Sequence, residues 1–143
     1  MDDLELMRRF DVELFIVHPT LTPGEITQAL ALEPSHLQGV GEQRRTPKEE
    51  LPGLYRDTRW RHSRRFEVED QWFHEQFSEF VATLAPHRGF LEQVRSSGGK
   101  TILILQFLGD GYYGDNINHT TLQAISLLGL DIGIEVYGVP QNA

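Results

Sequence analysis

Residues 58–68 read TRWRHSRRFEV and alternate as a strand, with Trp60, His62, Arg64 and Phe66 on one side and Arg59, Arg61, Ser63 and Arg65 on the other. What precedes this strand decides the fold. A short strand is expected over 35–41, and between the two lies no helical pattern, only GEQRRTPKEELPGLYRDT. With two prolines, glycines and dense charge, that stretch reads as a long charged loop over 42–58. A strand-to-strand step with no helix between points to a mixed or antiparallel sheet.

The flanks supply the remaining elements. FDVELFIVH at 10–18 alternates Phe10, Val12, Leu14 and Ile16 against Asp11 and Glu13, then turns apolar on both faces at Phe15 and Val17, as a central strand does. Thr22-Pro23-Gly24-Glu25 is a capping box with proline at the first helical position, followed by a stripe of Ile26, Ala29, Leu30 and Leu32, with Pro34 barring continuation. A second helix opens at Asp70 and carries Phe73, Phe77, Phe80, Val81 and Leu84. Pro86 breaks it, and a further segment with Phe90, Leu91 and Val94 runs to Ser97-Gly98-Gly99. TILILQFL at 101–108 reads as another central strand. Asn118 or Thr120 caps a last helix with stripe Leu122, Ile125 and Leu128 and stop Gly129, and 131–139 closes the chain as a strand.

The order is β-α-β-β-α-β-α-β. This is an α+β fold with a mixed, largely antiparallel sheet, helices packed on one face, and a relation to the ferredoxin-like arrangement. At 143 residues the chain reads as a single domain over 1–143, with an N-terminal extension at 1–9 and a C-terminal tail at 140–143.

Composition excludes several chemistries. There is no cysteine, hence no disulfide, thiol nucleophile or thiolate metal site. The opening MDDLELMRRF lacks the features of a secretory signal, and no apolar run approaches a membrane span, so a cytoplasmic location is expected. The formal charge of −8 is unevenly spread. From Arg44 to Arg65 eight basic residues face three acidic ones, a net +5 that leaves −13 for the rest. A basic segment in an acidic chain is the strongest hint of a partner.

Six histidines, His18, His36, His62, His74, His87 and His119, fall on different elements, and no pair has metal-ligand helix spacing, so neither a metal nor a cofactor is expected. FLGDGYYGDNINH at 107–119 has the composition of a ligand loop but fails each test. After Asp110 the alternate positions hold Tyr112 and Gly114, which defeats a calcium loop. No lysine follows its glycines, which defeats a P-loop. Gly109, Gly111 and Gly114 match G-x-G-x-x-G spacing, but near the C-terminus and without the βαβ context of a dinucleotide site. It reads as a strand-to-helix connection, with Tyr112 and Tyr113 as candidate interface residues.

The cationic strand has two readings. The bland one is a solvated sheet face whose arginines pair with acidic helices. The functional one is a partner- or anion-binding strip made of Arg44, Arg45, Arg59, Trp60, Arg61, His62, Arg64 and Arg65.

LTPGEITQALALEPSHLQGVGE, with Leu30, Leu32 and Pro34, then Trp60, ATLAPH at 82–87 and LLGLDIGIEVY at 127–137, resembles a bacterial family catalogued as domain of unknown function forty-two seventy-nine. The likeness runs from about Phe10 to Tyr137 on structural motifs and carries no catalytic residues. The segment from Arg44 to Thr58 is longer than the family pattern, and Arg59 stands where a glycine is usual. Some members lie near toxin genes, so the resemblance implies an immunity-like or regulatory protein. Such a protein would bind a partner, a toxin among the candidates, by stoichiometric association. Nucleic acid is disfavoured by the surrounding −13, and a homodimer is left open. The alternative is an anion or phosphorylated small-molecule binding domain, or an enzyme, in which Trp60, His62 and Arg64 face a pocket.

Overall fold

A computed structural model describes residues 9–67, 73–109 and 114–138. In chain order the strands are β1 (Arg9–His18), β2 (His36–Gln38), β3 (Gln43–Arg45), β4 (Glu50–Leu54), β5 (Thr58–Glu67), β6 (Lys100–Leu108) and β7 (Asp131–Tyr137). The helices are α1 (Pro23–Leu30), α2 (Phe73–Leu84), α3 (Arg88–Ser96) and α4 (His119–Leu128), with a 3-10 turn at Ala85–His87 around Pro86.

Five strands form the main sheet in the order β2-β5-β1-β6-β7. β1 is central, as its two apolar faces require, and pairs antiparallel with β5 and β6. β2 pairs antiparallel with β5, and β7 runs parallel to β6. Because β5 lies between β1 and β2, the first four strands of the sheet follow a split βαβ plan, to which α4 and β7 add one crossover unit.

Local signals set the element ends. The Thr22 hydroxyl accepts from the Glu25 amide at 3.2 Å with Pro23 in the first turn, as the capping sequence demands. α1 stops at Ala31, in the left-handed region at φ 54°, before Pro34 can act. Asn118 caps α4 by accepting from the Thr121 amide at 2.8 Å, and Gly129 ends it at φ 69°.

One face of the sheet holds the core. Phe10, Val12, Leu14 and Ile16 of β1, Trp60 of β5 and Leu103 and Leu105 of β6 pack against Ile26, Leu30, Phe77, Phe80, Val81, Leu84, Leu91, Val94, Ile125 and Leu128. Every helix of the described chain buries its stripe there. At about 1.5–3 kcal/mol per fully buried large apolar side chain, this cluster dominates the stabilising side of folding.

Two expectations change. The segment 42–58 is not only loop: β3 and β4 pair as a two-stranded hairpin. Its turn is set by Thr46, whose hydroxyl accepts from the amides of Lys48 and Glu49 while Pro47 fixes the corner. Leu122, expected in the buried stripe of α4, is 48% exposed, and Thr121 takes the inner position, its hydroxyl bonded to Ser78 at 2.7 Å. The apolar set of β7, Ile132, Ile134 and Val136, is exposed. The expected start of the second helix at Asp70, residues 1–8 of the N-terminal extension and the tail at 140–143 lie outside the described residues.

Candidate functional site: the open sheet face

With the helices gathered on one side, no described helix covers the opposite face of the sheet. Strand alternation brings Asp11, Glu13, Phe15 and Val17 of β1 onto it beside Arg59, Arg61, Ser63 and Arg65 of β5 and Ile102, Ile104 and Gln106 of β6. β7 adds Asp131, Gly133, Glu135 and Tyr137 at its margin.

The arginines of this face already have carboxylates. Arg61 donates to Glu13 at 2.9 Å, Arg65 to Asp11 at 3.3 Å and Arg59 to Asp57 at 3.2 Å. Glu13 is buried, and its second oxygen accepts from the Ser63 hydroxyl at 2.9 Å, so both carboxylate oxygens are satisfied. The Arg61 guanidinium also lies 3.9 Å from the centroid of Phe15, where ring and carboxylate together fix its plane. The pairing predicted with acidic helices is instead made largely with the neighbouring strand, because β1 places Asp11 and Glu13 opposite Arg65 and Ser63. At the β7 margin, Tyr137 donates its hydroxyl to Glu135, and that bond together with burial and nearby charge holds the phenol above its ordinary range.

The other predicted residues disperse. Trp60 points to the helix side, fully buried, with its indole N–H donating to the Thr27 hydroxyl at 2.9 Å. His62 stacks between Trp60 and Phe80, its Nδ1 2.6 Å from the Glu33 carbonyl. Arg64 is exposed, 5.8 Å from the Phe66 ring centroid. Trp60 is thus a core residue, and the three side chains do not line one pocket. Arg44 and Arg45 sit on the hairpin, where Arg44 donates to the Pro52 carbonyl at 3.2 Å. Tyr112 and Tyr113 lie outside the described residues.

Towards the end of the 107–119 stretch, Asp115 accepts from the amides of Asn116 and His74 and meets the His74 ring at 3.3 Å, tying the entry to α4 onto the start of α2. Burial works against the charge on Asp115, but these donors outweigh it and hold the carboxyl below its ordinary range.

Sequence reasoning missed one buried polar centre. His18, at the end of β1, accepts on Nδ1 from the amides of Thr20 at 3.0 Å and Leu21 at 2.9 Å, and its Nε2 lies 2.8 Å from the Ser97 hydroxyl. The pair looks like a nucleophile and its base, but two amides aimed at Nδ1 require the proton on Nε2, so the ring donates to Ser97 and cannot deprotonate it. Ser97 in turn donates to the Gln93 carbonyl at 2.7 Å. Burial keeps His18 below its ordinary pKa and outweighs the pull of Glu25. The centre locks the β1 turn to the end of α3. A histidine ending an apolar strand just before Pro-Thr was the available signal, though nothing in the spacing pointed to Ser97.

Among the described residues, no group of three or more His, Asp or Glu side chains is placed to hold a metal ion, and no helix is long and apolar enough to cross a membrane.

Residues 8–139 match the family model described as Domain of unknown function (DUF4279). No curated protein and no solved structure matches the chain.

Proposed function

The chain belongs to the DUF4279 family, and from its own surfaces we propose that it is a binding protein, immunity-like or regulatory, which associates stoichiometrically with a protein partner through the open sheet face. The helix-free face carries this reading. Phe15 and Ile102, with Ile104 buried beside them, give it an apolar centre, flanked on the β5 side by arginines paired with Glu13, Asp11 and Asp57 and on the β7 side by Asp131 and Glu135. An apolar middle with an ordered polar rim is the anatomy of a protein interface, and pre-paired guanidinium groups lose little entropy when a partner arrives. Acids interleaved with the arginines favour a protein over a polyanion, and the net −8 favours a basic one. A toxin is one such partner.

The test is affinity capture with the tagged chain from its source cells, then calorimetric titration of the recovered protein against wild type and the double variant Arg59→Glu/Arg65→Glu. Both arginines lie at the surface, so the fold should survive. A one-to-one complex weakened tenfold or more in the variant is expected, in line with the loss of complementary rim charges. Equal affinity for both forms would remove the open face from the interface. Failure to recover any stoichiometric partner would remove the function.

A further inference from the structure

The sheet ends differently on its two sides. One edge is β2, only three residues long, His36–Gln38. The other is β7, seven residues, Asp131–Tyr137, in unbroken register with β6 and paired to nothing else among the described residues. Edge strands are commonly blunted by lysine, proline, a bulge or shortness. β7 contains no lysine or proline and its ladder shows no register shift. It also projects apolar side chains into solvent, with Ile134 66% and Val136 72% exposed. Of the eight exposed large hydrophobic residues in the described chain, Leu122, Leu127, Ile132, Ile134, Val136 and Tyr137 all belong to α4 and β7. Four of these six lie on the edge strand itself.

The sequence of β7 indicates its occupant. In DIGIEVY at 131–137 the apolar set Ile132, Ile134 and Val136 is symmetric about Ile134. Laid antiparallel against a second copy with Ile134 on the two-fold axis, Ile132 faces Val136 and Ile134 faces itself on the helix side. On the open side Asp131 faces Tyr137 and Gly133 faces Glu135. No acid faces an acid. Moving the axis to Gly133 sets Asp131 against Glu135 twice, and moving it to Glu135 sets that carboxylate against itself, each a like-charge pair directly across the ladder. Axes between residues place the apolar set of one copy on the same side as the polar set of the other.

We propose that the chain forms a two-fold homodimer by antiparallel pairing of β7 with β7 of a second copy, centred on Ile134, so that two five-stranded sheets join into one. Both helix layers then lie on the same side, and the open faces of the two copies become a single platform. The inference rests on the edge rather than on the open face, so either can fail without the other.

Because the chain has no cysteine, a single introduced thiol reports the register directly. Light scattering and sedimentation of the wild type at micromolar concentration should give a dimer. Ile134→Lys, which sets two ammonium groups against each other on the axis, should raise the dimer dissociation constant on the order of 100-fold while leaving the circular dichroism spectrum intact. Under mild oxidation Ile134→Cys should cross-link to itself, since facing Cβ atoms lie about 4.5–5.5 Å apart. Ile132→Cys should cross-link poorly alone but well when mixed with Val136→Cys. A monomeric wild type overturns the proposal, even if another protein's strand occupies the edge. So does a dimer that survives Ile134→Lys, or self-linking of Ile132→Cys as efficient as that of Ile134→Cys.

Discussion

The His18 centre makes the sharpest stability prediction. In His18→Ala the amides of Thr20 and Leu21 lose their acceptor, Ser97 loses its donor and the ring's packing is removed. Each stranded amide near the surface costs about 1 kcal/mol and the lost ring burial about 1 more, so the variant should be about 3 kcal/mol less stable at pH 7.5. His18→Asn separates these contributions. Its amide oxygen occupies the topological position of Nδ1 and can accept from the amide two residues on, as in an Asx turn, so it should lose only about 1–1.5 kcal/mol. The sign with pH follows from the lowered pKa. The unfolded chain takes up the His18 proton near pH 6.5, whereas the folded chain resists it to lower pH. In that window the unfolded state binds more protons, and wild-type stability falls as pH falls below about 6.5. The Ala variant has no such group, so its deficit should shrink between pH 7.5 and 5. Urea titrations at several pH values measure all of this. Equal losses for Ala and Asn, or a deficit that does not change with pH, would refute the assigned tautomer and the account built on it.

Three further substitutions probe packing on the same side of the sheet. Trp60→Phe removes both the bond to Thr27 and the larger ring, and should lower stability by about 2 kcal/mol in urea titration, whereas Thr27→Val, which strands the indole N–H without a cavity, should cost about 1–2 kcal/mol. In Gly99→Ala the new methyl would sit 2.6 Å from Val94, 2.8 Å from the His18 ring and 2.8 Å from the Val17 carbonyl. Because backbone cannot yield cheaply there, a loss of about 1–3 kcal/mol is expected, together with a lowered midpoint in thermal melts.

Much of the architecture was legible because it rests on local chemistry. The caps at Thr22 and Asn118, the stop at Gly129, the break at Pro86 and the two-sided apolarity of β1 each have a cause within a few residues, and each appears where those residues put it. The hairpin of β3 and β4 escaped because its strands are charged and short, and only the Thr46 turn distinguishes it from loop.

The sequence by itself determined which residues alternate and where elements start and stop, since period and capping are properties of neighbours along the chain. It could not say which alternating face would be covered. Trp60 and Arg61 are adjacent, yet one lies in the core bonded to Thr27 and the other is locked over Phe15 by Glu13. Ile134 carries the apolar pattern of a buried strand but stands in solvent, because cover depends on how far the helix layer extends and which strand ends the sheet. Those are relations between residues distant in sequence. Only the tertiary structure paired Arg59, Arg61 and Arg65 of the +5 segment with carboxylates, and made the closing strand a sheet edge.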